Sequence, residues 1–491
     1  MISPSLEEYR LLARGYNLVP VVREVLADFD TPVSAFAKLN RGDAAFLLES
    51  LEGGETWGRY SILGFRPSVE FRSKGPVVEI RRGERTERTE IKDPLEALRS
   101  LLAQVKAAPV PNLPPFSGGA VGLVGYDYVR FLEKLPSRAV DDLNQPDLHF
   151  VFPDLVLAFD NFRHRLQLVA NTRPGSDPDR AYRDAVTAID EMLLRLGQPP
   201  ALPERVPRSN GRVEFTSNLG QAGYVRAVET AKEHIRAGDV VQVVLAHRLE
   251  ATAAVSPFDV YRALRILNPS PYMYYLRYPD RSVAGSSPEI LVRTSGRRVA
   301  LRPIAGTRRR GATREEDAAL ERELLASDKD KAEHVMLVDL GRNDVGRIAE
   351  IGSVRATEFM GVERYSHVMH LVSHVEGTLR EGLTAFDVLR ACFPAGTVSG
   401  APKKRAMEII ESLEPSRRGA YAGAMGYFDF HGNADFCITI RTATFEGGRV
   451  HLGVGAGIVA DSNPEEEWTE TRNKALAVEE AVRLAAGGLD A

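Results

Sequence analysis

The chain has 491 residues, 44% of them hydrophobic and 26% charged, an ordinary globular composition with core enough for two or three domains. A formal net charge of −4 argues against a general nucleic-acid binder, and no uninterrupted apolar run is long enough to span a bilayer. The two cysteines, Cys392 and Cys437, lie in apolar segments and fit reduced thiols of a cytoplasmic protein better than a disulfide framework. Residues 1–10 carry no signal-peptide pattern.

In chain order, short strand-like runs come first: Ala44–Glu49, Tyr60–Phe65, Val77–Arg82, Ala120–Val124, Leu155–Phe159 and Arg165–Ala170, with Arg82-Gly83 as a hairpin turn. A helical pattern from Pro178 to Leu196 precedes a stretch rich in Pro, Arg, Ser and Gly. The expected division is therefore an N-terminal lobe over 1–196, a linker over 197–211 and a second unit over 212–491. Beyond the linker, Gln221–Ala237, Pro257–Leu267 and Arg314–Leu340 read as helices. Gln242–Leu249, Tyr272–Tyr278, Glu289–Thr294 and Arg298–Arg302 read as strands. Short turns join most of these strands, so an α+β fold with antiparallel sheet and flanking helices fits better than a doubly wound one.

Several segments could carry chemistry. Arg302-Pro-Ile-Ala-Gly-Thr307 ends a strand in a Gly-Thr turn that can offer N–H groups and a hydroxyl to an anion. In the helix after Ser327, Asp330 and Glu333 are three apart and share a face. Gly396-Thr-Val-Ser-Gly-Ala-Pro-Lys403 looks like a turn opening a helix, a place for an anion, but its spacing is not that of a phosphate-binding loop. Tyr421 has small neighbours, and Arg441 is a cation in an apolar strand that needs either a protein carboxylate or a substrate carboxylate. Gly453-Val-Gly-Ala-Gly457 precedes a helix capped by Asn463 and opened by Pro464. On that helix Glu467, Glu470 and Lys474 share a face. Two helices that each offer a carboxylate pair could meet around one hard cation such as Mg²⁺; the same residues also suit solvated faces and helix dipoles.

Together these strings resemble the chorismate-utilising enzymes. The resemblance rests on Ser287-Pro-Glu289, Pro303-Ile-Ala-Gly-Thr307, Glu333-His-Val-Met-Leu-Val-Asp-Leu, Gly396–Lys403, Gly455-Ala-Gly457 and Glu470-Thr-Arg-Asn-Lys474. The first half, about residues 11–159, is similar to the N-terminal region of anthranilate synthase large subunits. The resemblance implies a two-lobed antiparallel β-sheet sandwich flanked by helices, with 212–491 as the chorismate-binding catalytic part. It implies Mg²⁺ bound by Glu333 and Glu470 and supported by Asp330 and Glu467. Gly306, Thr307, Gly455, Ala456 and Gly457 would cradle chorismate, Arg441 and Tyr421 would hold its enolpyruvyl carboxylate, and Lys474 would add positive charge. Glu289 would be the general acid for the departing C4 hydroxyl, His370 would assist loss of the enolpyruvyl group, and Thr397 would belong to the same catalytic set.

Two positions choose among relatives. Those that add water carry a lysine base where this chain has Gln242, and those that make aminodeoxychorismate usually carry lysine where it has Ala305. Both point to amination at C2 and loss of pyruvate, which gives anthranilate; aminodeoxychorismate synthase component I is the alternative. A metabolite sensor without turnover and a nucleotide-binding enzyme are the rivals of other classes. Leu47-Leu-Glu-Ser50 and Asn268-Pro-Ser-Pro-Tyr-Met273 resemble the segments that bind the feedback inhibitor tryptophan, implying roles for Ser50, Pro271, Tyr272 and Met273; packed strand edges would look the same. The chain has no Gly-x-Cys-x-Gly nucleophile, so a glutamine amidotransferase subunit is the expected partner and ammonia source.

Overall fold

In a computed structural model, residues 2–51, 58–199, 213–365 and 368–489 are described. The expected linker lies outside the described residues except for 197–199. The helix before it spans Pro178–Leu196 as its periodicity predicts.

Every ladder between the named strands is antiparallel, and they form two layers. One runs from Val19–Leu26 through Arg165–Thr172, Leu148–Asp160, Tyr60–Lys74, Ala45–Glu49, Tyr272–Arg277, Arg281–Ser287, Thr442–Glu446 and Arg449–Ile458 to Gln242–Thr252. The other runs from Gly119–Val124 through Ala424–Asp429, Ala434–Ile438, Ile290–Ser295 and Arg298–Leu301 to Val368–Thr378, which also pairs with Ile304–Arg309 and Arg355–Arg364. The long strands Tyr60–Lys74 and Leu148–Asp160 belong to both layers, bending where their register shifts between Pro67 and Val69. Strands from the two halves of the chain are direct neighbours in each layer.

Side-chain alternation builds the sandwich. Tyr274, Leu276 and Val283 from one layer meet Met425 and Cys437 from the other in the interior between them. Their sequence neighbours Met273, Tyr275 and Ala284 point outward, into a core shared with the helices Pro178–Leu196, Pro257–Leu267 and Pro464–Gly487. The outer face of the other layer is covered by the helices Asp328–Gly346 and Ala385–Cys392. Both cysteines are buried and free.

The structure departs from the sequence reading in several places: Tyr60–Phe65 and Leu155–Phe159 are parts of the longer strands Tyr60–Lys74 and Leu148–Asp160. Val19–Leu26 is a strand that the sequence reading did not mark. The single helix expected over 314–340 is two, Arg314–Ala326 and Asp328–Gly346. Ser327 has a non-helical ψ of 109° and its hydroxyl accepts from Asp330 N–H, so it starts a new helix and aims it in a new direction.

Candidate active site

Two short segments cross from one layer to the other, and the candidate site forms around them. Pro288 and Glu289 lie between the strands Arg281–Ser287 and Ile290–Ser295, and residues 439–441 lie between Ala434–Ile438 and Thr442–Glu446. The crossings are bonded to each other: Ile438 N–H donates to Glu289 O at 3.0 Å, and Ser286 N–H to Arg441 O at 3.1 Å. Ser287 Oγ donates to Ile438 O at 2.6 Å. This frame leaves Glu289 part-buried at the wall of a pocket that Thr397 also lines, and desolvation there pushes its pKa up to about 7. The Thr397 hydroxyl, which lines the same pocket, and the charge of Lys474 oppose that shift. Thr397 sits in the turn Gly396–Val398, its buried hydroxyl oxygen holding no full hydrogen bond.

Arg441 has a left-handed backbone, φ 50°, and its guanidinium pKa is lowered by desolvation. No carboxylate pairs with it among the described residues, so the substrate-carboxylate alternative is the one the geometry leaves open. Tyr421 lies over the glycine-rich strand. A Cβ at Gly453 would come within 2.2 Å of the Tyr421 ring, and one at Gly455 within 2.7 Å of its hydroxyl. A Cβ at Gly457 would meet Gln242 Nε2 at 2.5 Å. These three alternate glycines make room for Tyr421 and Gln242 on one face, while Val454, Ala456 and Ile458 point the other way into the cores. Burial raises the Tyr421 phenol to about 12, so it is a hydrogen-bond donor at neutral pH. Lys474 donates to Gly455 O at 3.0 Å.

The Gly-Thr turn is a bulge in the ladder with Val368–Thr378. Gly306 adopts φ 63°, and a Cβ there would stand 3.1 Å from Asp330 Cβ. Thr307 is paired with His370, whose Nδ1 lies 3.0 Å from Gly306 O and 3.1 Å from the Thr307 hydroxyl. The carbonyl can only accept, so that bond places the ring proton on Nδ1.

The two acidic helices cover opposite layers, and their N-terminal turns share one electrostatic neighbourhood. Burial raises the pKa of Glu333, and the charges of Asp330 and Glu470 raise it further. Burial likewise raises Glu467, with Glu470 adding to it. Carboxylates that oppose one another's ionisation suit a divalent oxygen-seeking cation. They are not drawn to one point: Glu470 pairs with Lys474 at 2.7 Å, and Asp330 with Arg308 at 3.0 Å. The helix-dipole alternative holds at the same time, since Asp330 and Glu467 lie in first turns.

The chorismate binding enzyme family model matches residues 44–480. The chain belongs to this family. It is an enzyme of that family, 46% identical over 490 residues to anthranilate synthase component 1 of Acetivibrio thermocellus, with 99% of each chain covered. The crystal structure of anthranilate synthase component I from Streptococcus pneumoniae TIGR4 matches with a TM-score of 0.76 at 36% identity, covering 93% of this chain and 99% of that one. The menaquinone-specific isochorismate synthase of Escherichia coli shares the fold, with a TM-score of 0.69 at 21% identity over 97% and 98% of the two chains. The antiparallel two-layer architecture expected from the family strings is thus the one found.

The segments expected to form an inhibitor site are neighbours. Met273 pairs with Glu49, and Leu51 N–H donates to Ser270 O at 3.2 Å, which brings Ser50 beside residues 270–273. Tyr272 Oη is engaged by Asp435 at 2.9 Å, and the Met273 side chain is buried in the helix-covered core. Sequence reasoning passed over Glu49, a buried carboxylate bonded by Tyr261 and by both Arg265 Nε and Nη2. Its signal was available: period-two alternation puts Glu49 on the buried face with Leu47. The Gly396–Lys403 segment supplies Thr397 to the site, but Lys403 turns away to pair with Asp344 at 2.6 Å.

Proposed function

We propose that the chain converts chorismate and ammonia to anthranilate, pyruvate and water, with Mg²⁺ held by Glu333 and Glu470 and supported by Asp330 and Glu467. The observation that carries the reading is Glu289, a carboxyl with a pKa near 7 at the crossing of the layers, in a pocket that Thr397 also lines. Such a group is half protonated at neutral pH and can act as a general acid. Ammonia adds at C2, and the C4 hydroxyl leaves as water with the Glu289 proton. The enolpyruvyl group then departs with the C2 hydrogen lost as a proton, aided by His370, and takes up a proton as pyruvate.

The bound cation would neutralise the ring carboxylate and draw electron density from the ring. Arg441 and the Tyr421 hydroxyl would take the other carboxylate, with the alternate glycines leaving room for Tyr421 to lie against the strand. Gln242 and Ala305 bring no amine to the substrate, so neither can generate a water nucleophile or compete with ammonia.

The finer regulation and partnership rest on the same reading. Tryptophan bound between Ser50 and Pro271–Met273 would press on a strand whose Tyr272 pairs with Ser287, two residues before Glu289. That is a short physical route from an inhibitor to the acid, provided tryptophan prefers one arrangement of the two. A glutamine amidotransferase would supply ammonia. With chorismate and Mg²⁺, the isolated chain is expected to form anthranilate from ammonium salts and to use glutamine only after that partner is added. Glutamine-dependent turnover by the isolated chain would contradict the proposal.

A further inference from the structure

The most heavily bonded buried charge near the site is Arg418. It lies on the segment between the helix Lys403–Leu413 and Tyr421. Nε and Nη2 form a fork on Glu414, at 2.8 and 2.5 Å. Nη1 donates to Val398 O at 2.6 Å and Nη2 to Val244 O at 2.7 Å. The guanidinium also stands 5.7 Å from the centre of the Tyr421 ring and 4.6 Å from that of Tyr126. Glu414 completes the set by accepting from Ala246 N–H at 2.9 Å.

Three of those partners sit beside or within the candidate site. Val398 follows Thr397. Val244 is two residues from Gln242 on the same strand. Tyr421 is itself a site residue. The three segments come from distant parts of the chain, and backbone bonds alone join only some of them: Val244 N–H reaches Ser399 O at 3.0 Å. Resting on the reaction assigned above, we infer that Arg418, braced by Glu414, is a positioning residue that fixes the relative placement of Thr397, Gln242 and Tyr421.

The physical case is one of geometry. A planar fork with four of its five N–H groups bonded in fixed directions has one orientation, whereas an ammonium in its place is a point charge that cannot serve a carboxylate and two carbonyls in those directions. A buried Arg–Glu pair is weak support for stability as such, since its desolvation cost rivals its attraction. The bonds to Val398 and Val244 are therefore better understood as setting position. Cation–π contact adds a directional hold on the Tyr421 ring.

The test uses Arg418→Lys and Glu414→Asp in the full chain, each of which keeps the buried charge pair and should fold. Turnover is measured with chorismate, Mg²⁺ and a constant concentration of free ammonia over a pH series, beside thermal melts. Misplacement of Thr397 and Tyr421 should lower kcat/KM roughly 10- to 100-fold. As Thr397 recedes from Glu289, the alkaline limb of the profile should move to higher pH. Thr397→Val should move it the same way, and Arg418→Lys should add no further shift in that background. A merely structural role would lower the melting temperature and leave the profile in place, which would overturn the inference. Loss of folding in both variants would overturn it too, by assigning the pair to core stability. Wild-type protein without product would remove the assigned reaction and this inference with it; wild-type turnover with unaltered variants removes the inference alone.

Discussion

Replacing Glu289 by glutamine should have opposite effects on activity and on stability, and both can be sized. Burial carries the carboxyl from an ordinary value of 4.5 to about 7. A rise of that size means the folded state prefers the protonated form by about 3 kcal/mol. The folded protein therefore holds this proton more tightly than the unfolded chain. The favourable state is fully present below about pH 4.5 and is lost as pH rises through about 7. Glutamine imitates the protonated form at every pH. Glu289→Gln should match wild type in denaturant unfolding at pH 4 and exceed it by up to about 3 kcal/mol at pH 8. The same substitution removes the proton donor, so kcat should fall by roughly 10²- to 10⁴-fold. In wild type, activity supported by the amidotransferase partner should decline above about pH 7, as Glu289 loses its proton. A variant no more stable than wild type at pH 8, or one with near-normal turnover, would refute this account of the group.

Glu470→Gln should weaken Mg²⁺ binding, read by calorimetry without substrate, by roughly tenfold or more, and Lys474 would lose its carboxylate partner; unchanged affinity would remove Glu470 from the cation site. Arg441→Met replaces a desolvated cation that has no carboxylate partner among the described residues. It should leave the melting temperature unchanged or higher while raising KM for chorismate by roughly 100-fold; a marked loss of stability would indicate a structural rather than a substrate-binding arginine. Ser50→Phe should leave turnover intact and weaken tryptophan inhibition, and full inhibition in that variant would dismiss the assigned inhibitor site.

Much of the fold was legible because strands and helices here carry strong local signals. Pro257–Leu267 and Pro178–Leu196 start with a capping side chain and a proline at the first turn, so their limits could be read directly. Val19–Leu26 escaped because its adjacent Arg23-Glu24 and Val25-Leu26 break the period-two alternation of a half-buried strand, and it begins with an irregular Val-Pro. The break at Ser327 escaped because serine is compatible with a continuous helix until its side chain bonds Asp330 N–H. The site was legible as strings, but not as a place. Nothing in the spacing from Glu289 to Arg441 says that both lie where chain crosses between layers. Arg418 and Glu414 were passed over for a related reason: an adjacent Arg-Arg pair reads as surface charge until the fold buries one of the two.

The central claim is the reaction, and its most direct measurement is the identity and ratio of products. Chorismate incubated with the purified chain, Mg²⁺ and ammonium should yield anthranilate and pyruvate in equal amounts, identified by fluorescence, mass and an enzymatic pyruvate assay. Aminodeoxychorismate without pyruvate, or chorismate binding with no product at all, would contradict it.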